Sequence, residues 1–322
     1  IRDRSPTYPT RIFCLARLGK WEVAALTLGN AETLGILTEE EDKLLLHFLD
    51  PELFEDDPIP AAPRVPSPLL FRLYEAIGER IPTGPLPVAF AVTDLSDTVG
   101  WKARLRAAER LAATGAMSFD AMLDVYQERK PAASGGEWDR VAALQDLVRA
   151  VDRRSQKDIA ATLPKAWAAA RSADFHGPFA LWIAPQLEQL SDERQDTAHL
   201  VFEIALLAGN TDLAARFANE TTEDQFLLAL ARDTQATPPA GDPLSRAVLR
   251  GLSAFGPGSG YQALIDDDRA GEALLRALAQ LSDGAAVIPD ATAISLALLR
   301  LQGLEELARQ IAIELILMEG AA

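Results

Sequence analysis

The stretch from Trp101 to Asp152 constrains the fold of this chain most strongly, because three segments of helical periodicity follow one another across two short turns. In the first segment, apolar residues recur every three or four positions and charged residues occupy the opposite face. A helix with one apolar stripe is stable when that stripe is buried against neighbouring elements. The stretch therefore predicts three helices packed against one another.

The turns within this stretch predict how its helices end and begin. Gly115 stands where a left-handed C-terminal cap belongs, and Ser118 can accept the free amides of the next helix. Further along, Ser134-Gly135-Gly136-Glu137 fits a capping box, with Ser134 as the N-cap and Glu137 as its partner. We expect Trp138 and Leu144 to be strongly buried in the helix that follows.

The rest of the chain continues the same pattern. Helical periodicity recurs to the C-terminus, with a break predicted at Pro164, and no segment alternates with the period of two that marks a strand. The sequence therefore predicts an all-α fold without a significant β-sheet. Six prolines and several acids lie between Pro51 and Pro68, a composition typical of an extended connection. We predict an N-terminal helical hairpin or cap over 1–50, an acidic proline-rich linker over 51–68 and a main helical array over 69–322.

The composition narrows the classes of partner. The formal net charge of −16 opposes binding to the phosphates of nucleic acid and to anionic lipid surfaces. Cys14 is the one cysteine of the chain, which excludes an intramolecular disulfide. A single thiol is compatible with an oxidising or a reducing compartment, so the periplasm and the cytoplasm both stay open on this observation. We therefore expect a protein or peptide partner and no nucleic acid.

No apolar run approaches the roughly 20 residues that a membrane-spanning helix requires, so we expect no membrane insertion. The sequence begins at Ile1 rather than at a methionine. We interpret this start as either an artificial boundary of the sequence or the trace of a removed targeting peptide.

The residues that could support catalysis or metal binding do not form a recognisable pattern. The histidines are His47, His176 and His199, and none lies at a metal-binding spacing. Asp266-Asp267-Asp268 lacks the alternating ligands and the glycine of an EF-hand loop. We predict no catalytic residue, no cofactor and no metal site, and we interpret these acids as a solvated helix start.

The turn of Ser134, Gly135 and Gly136, followed by Trp138, is the one candidate for a binding site that the sequence offers. A helix entered through two glycines exposes backbone amides that can hold a carboxylate or phosphate group. Against this hypothesis, Glu137 is expected to fill that position itself as the capping-box partner.

Three helix junctions share a pattern, in which an alanine follows a turn glycine after five residues. They are Arg17–Ala24, Leu207–Ala214 and Leu301–Ala308. The glycine takes the left-handed cap, and the small alanine allows the returning helix to approach its partner. The pattern resembles the inter-helix turn of tetratricopeptide-like repeats, although the glycines are not spaced by about 34 residues. The resemblance implies stacked antiparallel helical hairpins in a superhelix that binds proteins or peptides.

A second resemblance rests on the segment Lys130–Arg140, with the letters KPAASGGEWDR. This segment is similar to one in uncharacterised exported helical proteins of Gram-negative bacteria. The resemblance implies a periplasmic location and carries no implication about activity.

Two functions are compatible with this chain. We favour a non-enzymatic helical scaffold of the bacterial cell envelope that binds a protein or peptide. The alternative is an all-helical enzyme that acts on cell-wall carbohydrate with paired carboxylates. A pocket with two facing carboxylates and at least two of four tryptophans would favour the enzyme, and these tryptophans are Trp101, Trp138, Trp167 and Trp182.

Overall fold

The computed structural model describes residues 7–96, 98–132, 136–190, 195–253, 260–282 and 288–319, with the side chains of 195, 196 and 319 excepted. All regular structure within these ranges is helical, and none of their residues belongs to a strand. The predicted all-α class is confirmed. The superhelical array of hairpins stays a prediction.

The chain divides into two compact units, Ile1–Ala103 and Arg104–Ala322. The helices of the first unit are α1 (Tyr8–Arg17), α2 (Trp21–Leu34), α3 (Glu39–Leu49), α4 (Pro68–Ala76) and a 3₁₀ helix (Val88–Leu95). The division falls within α5 (Trp101–Ala113). The second unit continues with α6 (Phe119–Gln127), α7 (Glu137–Asp152), α8 (Gln156–Ser172), α9 (His176–Leu187), α10 (Gln195–Leu207), α11 (Thr211–Phe217), α12 (Thr222–Ala231), α13 (Pro243–Ser253), α14 (Gln262–Asp266), α15 (Ala270–Ser282), α16 (Pro289–Leu301) and α17 (Glu305–Glu319).

The first unit is held together by one apolar cluster contributed by α1 to α4. Leu73 and Tyr74 of α4 are buried in it beside Leu44 and Leu45 of α3, and α4 also contacts α1. Because α4 buries its apolar face against the N-terminal helices, it belongs to their unit. The first unit therefore includes α4, and the main array over 69–322 stays a prediction.

The stretch 51–66 contains no helix or strand and is mostly exposed. Ser67 then caps α4 by accepting a hydrogen bond from the Leu70 amide at 3.2 Å. The Tyr74 hydroxyl donates a hydrogen bond shared between the Pro60 carbonyl oxygen, 2.8 Å away, and Glu40 Oε1, 3.2 Å away. The proline-rich stretch is thus anchored midway along its length.

The first predicted turn of the central stretch is confirmed. Gly115 has a φ of 71°, and Ser118 Oγ accepts a hydrogen bond from the Ala121 amide at 3.2 Å. The prediction for α7 is wrong, because its N-cap is Gly136 and no side chain caps it. Ser134 and Gly135 lie outside the described residues.

The burial predicted for α7 is correct at one position and wrong at another. Leu144 is buried, whereas Trp138 is only half-buried. Trp138 lies in the first turn of α7, one turn before the fully buried Val141. Burial of the apolar stripe therefore begins deeper in the helix than we predicted.

The break predicted at Pro164 does not occur, since α8 runs without interruption from Gln156 to Ser172. Proline removes one helical hydrogen bond, but its ring here is exposed. Residues before and after it in the helix are buried, among them Leu163 and Trp167. Tertiary packing of α8 therefore outweighs the local preference for a break.

In the second unit, α13 and α16 pack at close range where Gly251 meets Ala293. A β-carbon built on Gly251 would lie 2.6 Å from the backbone oxygen of Ala293 and 3.0 Å from its α-carbon. No side chain larger than hydrogen fits this contact without moving the backbone. The approach of the two helices therefore depends on this glycine.

We predict opposite effects for two alanine substitutions in helices of the second unit. Gly251→Ala should destabilise the protein by about 1–3 kcal/mol, because the added methyl group overlaps the α16 backbone. Gly271→Ala in α15, where a β-carbon meets no atom within 4 Å, should stabilise it by up to about 1 kcal/mol through helix propensity. Urea unfolding of the two variants measures both effects, and a stable Gly251→Ala variant would contradict the close contact.

We also predict that proteases cleave the proline-rich stretch before the central helices. Chymotrypsin should cut after Leu53, which is exposed and outside regular structure, before it cuts near the buried Leu144. Mass spectrometry of a limited digest identifies the first fragments. Early fragments that end within 101–152 would contradict the expected order.

Candidate functional site

Two of the three shared junctions lie in the second unit, between α10 and α11 and between α16 and α17. Gly209 and Gly303 reverse the chain there with φ values of 69° and 79°, a conformation that strains residues with a β-carbon. The alanines five positions later, Ala214 and Ala308, are fully buried. The roles that we predicted for these glycines and alanines are therefore confirmed.

These two turns border the same groove, which has a volume of about 590 Å³. We call it the leucine groove. Its lining comes from α9, from both turns and from the start of α17, and comprises Leu181, Leu207, Ala208, Gly209, Gly303, Leu304, Glu306, Leu307 and Gln310. The volume lies within the range of roughly 300–1,000 Å³ that is usual for ligand sites.

Three leucines give the groove its apolar character. Leu181 is 62% exposed, Leu304 37% and Leu307 43%. Single exposed leucines are ordinary on protein surfaces, but apolar side chains that line one concave surface mark interaction sites. The leucine groove is therefore a candidate binding surface.

Polar contacts hold the helices around this groove. Gln310 Nε2 of α17 donates to the carbonyl oxygens of Leu207 at 2.8 Å and Leu206 at 3.4 Å. These carbonyl oxygens lie at the end of α10, where no further amide of the helix is available to donate to them. His176 of α9 lies 3.0 Å from Glu314 Oε1 of α17. Because α17 is bonded to both α9 and α10, the groove is formed before any ligand arrives.

The turn that we predicted as a binding site is separate from this groove. Gly136 has a φ of 57°, and Trp138 is half-buried. Glu137 Oε1 accepts a hydrogen bond from Arg106 Nε of α5 at 2.9 Å. With Ser134 and Gly135 outside the described residues, a binding role for this turn stays a prediction.

A cluster of titratable side chains surrounds Trp167 of α8. The ring of His176 meets the Trp167 ring edge-on, with centroids 6.3 Å apart. On α10, Glu203 Oε1 lies 3.2 Å from His199 Nε2, and the Trp167 side chain favours the charged form of its carboxyl group. Burial raises the pKa of Glu203, and the charges of His199 and Arg171 oppose this shift.

A second polar cluster joins α5, α6 and α7 within the core. The Glu109 carboxylate is buried and accepts from the Tyr126 hydroxyl at 2.6 Å and from Arg140 Nε at 3.0 Å. Burial, followed by the Glu109 charge, raises the pKa of Tyr126. Gln145 donates to the carbonyl oxygens of Tyr126 and Arg129, each at 2.8 Å. Every group bonds within the cluster, so we interpret it as structural.

Four cavities lined by described residues do not meet the condition that would favour an enzyme. Besides the leucine groove, they are a polar cavity of about 300 Å³ beside Arg300 and Arg309, one of about 220 Å³ beside Gln145, and one of about 580 Å³ in the first unit beside Phe13. Tryptophan is missing from the lining of all four.

Within the described ranges, no group of three or more histidine, cysteine, aspartate or glutamate side chains is placed to hold a metal ion. Among the helices of these ranges, none combines the length and the hydropathy that crossing a bilayer requires.

Comparison with known proteins found no matching family model, no matching curated protein and no matching solved structure. The two resemblances from the sequence therefore stay predictions.

The sequence carries a partial signal for the leucine groove in the residues after Gly303. Leu304 follows this turn glycine directly, at a position that is often apolar in such a cap, and Leu307 comes three residues later. Leu181 is far from them in the chain, so the sequence alone did not reveal their proximity.

We predict that Glu203→Gln stabilises the protein at neutral pH. The folded-state pKa of Glu203 lies above its ordinary value of 4.5, so the carboxyl group favours folding below that value and this contribution is lost as the pH rises through the folded-state pKa. Glutamine cannot ionise, so the melting temperature of the variant should exceed that of the wild type at pH 7. The difference should shrink towards pH 4.

Glu79→Gln is the control, because that side chain is exposed. Its effect on the melting temperature should be small at both values of pH. A Glu203→Gln variant that is less stable than the wild type at pH 7 would contradict the burial penalty.

Proposed function

We propose that the protein is a non-enzymatic helical scaffold that binds a protein or peptide segment in the leucine groove. The observation that carries the proposal is the convergence of Leu181, Leu304 and Leu307 on one groove, despite their separation in the sequence. No cofactor or catalytic group is needed for such a role.

The chemistry of the groove favours a segment that presents several apolar side chains. Full burial of one leucine contributes roughly 1.5–3 kcal/mol, whereas association costs at least about 4 kcal/mol of lost freedom. One inserted side chain is therefore insufficient. An amphipathic helix presents apolar residues at i, i+3, i+4 and i+7 on one face, and this is a common way to fill a groove between helices.

A periplasmic location in the cell envelope is part of the proposal. It is supported only by the resemblance of the segment Lys130–Arg140 to exported helical proteins. A carbohydrate-active enzyme is not proposed, because no observation on the groove or on the Trp167 cluster favours it.

We predict that Leu307→Asp abolishes binding of a model amphipathic peptide. The probe is a fluorescently labelled peptide of about 20 residues, long enough to form a helix, with leucines on one face and alanine and glutamine on the other. Fluorescence anisotropy measures its affinity. The new carboxylate would have to be buried without a partner when the peptide docks. The Kd of the peptide should therefore rise by about two orders of magnitude.

Leu275→Asp is the matched control. Leu275 lies on α15, is 70% exposed and does not line the groove, so this variant should bind as the wild type does. Circular dichroism verifies that both variants fold. The proposal is wrong if the peptide does not bind the wild type, or if the two variants lose binding equally.

A further inference from the structure

We infer that the occupant of the leucine groove is a basic amphipathic helix, with lysine or arginine flanking its leucine face. This inference rests on the proposed function and adds the charge of the partner. It is carried by the charges around the groove.

Glu306 is the charged residue among those that line the groove. It is exposed and makes no ion pair with the described residues, in contrast to Glu305, which lies 3.9 Å from Arg300. Glu306 adjoins Leu307 in the chain and therefore sits at the edge of the apolar surface. A partner that covers Leu307 places its own polar side chains near this carboxylate.

The basic residues of the surrounding helices are already engaged. Helices α9 and α10 contain no lysine or arginine. On α11, Arg216 donates to the carbonyl oxygens of Glu188 and Leu190, each at 2.9 Å. On α17, Arg309 lies 3.0 Å from Asp233 Oδ1. No described cation thus forms an ion pair with Glu306, and the groove presents this one carboxylate at the edge of its apolar surface.

A second copy of this chain is a poor occupant. Two copies would each carry a net charge of −16, and this charge repels at long range before any apolar contact forms. A basic helix is attracted by the same charge, which speeds its association. Lysine and arginine also suit the groove edge, because their aliphatic stems can lie on leucine while the charge reaches a carboxylate.

The experiment compares three peptides with the same leucine face and different polar faces. One polar face is lysine and arginine, one is glutamine, and one is glutamate. The basic peptide should bind more tightly than the glutamine peptide, and the glutamate peptide more weakly, with a span on the order of tenfold or more in Kd. Raising the salt to about 1 M, where screening reaches roughly 3 Å, should reduce this span.

A variant assigns the preference to Glu306. Glu306→Lys should weaken the basic peptide by about tenfold and strengthen the glutamate peptide. Asp120→Lys is the matched control, because Asp120 is also an exposed carboxylate at the second position of a helix, α6, and does not line the groove. It should leave the order of the three peptides unchanged.

The outcomes separate this inference from the proposed function. If the glutamine peptide binds and Leu307→Asp abolishes its binding, but the three peptides bind equally or Glu306→Lys and Asp120→Lys act alike, the inference is wrong and the proposed function stands. If none of the peptides binds the wild type, both are wrong. Concentration-dependent dimerisation of the protein that Leu307→Asp prevents would identify a second copy as the occupant and overturn the inference.

Discussion

The second unit depends on the enclosure of α16 by three other helices. Helices α13, α15 and α17 all contact it, and its buried residues include Ala293, Ser295 and the run Leu296–Leu299. A helix covered on several sides has to be apolar around most of its circumference. Small residues set how near its neighbours come, as Gly251 of α13 shows at Ala293. The position of α17, and with it one wall of the leucine groove, follows from this packing.

The buried polar cluster of Glu109, Tyr126 and Arg140 fixes how α5, α6 and α7 are placed against one another. Apolar stripes alone tolerate sliding and rotation of one helix against another, because hydrophobic contact has no direction. A buried carboxylate costs free energy unless its partners are placed correctly, so the cluster penalises other arrangements of the three helices. Gln145 extends the same constraint to the end of α6 and the turn after it, where it donates to the carbonyl oxygens of Tyr126 and Arg129.

Local patterns predicted the local structure well and long-range structure poorly. Apolar periodicity and turn glycines identified the helical class, the turn at Gly115 and the buried alanines Ala214 and Ala308, because the causes lie within a few residues of each other. Two local predictions were wrong: the N-cap of α7 is Gly136, and α8 continues through Pro164, where we predicted a break. At α8, packing by distant residues outweighs the local preference of the chain. The same limit applies to the groove, whose leucines meet only through the contacts among α9, α10, α16 and α17.

The leucines of the leucine groove remain at the surface because other contacts hold the surrounding helices in place. The helices around it are held by contacts in which Leu181, Leu304 and Leu307 take no part, namely Gln310 to the end of α10 and His176 to Glu314. The turn at Gly303 holds Leu304 at the surface, since the left-handed glycine sets the direction in which the chain leaves α16. A preformed surface of this kind spares a ligand the cost of ordering the groove. The affinity of the groove is therefore decided by the side chains that the partner presents, which is why the charge at Glu306 can select among segments with equal apolar faces.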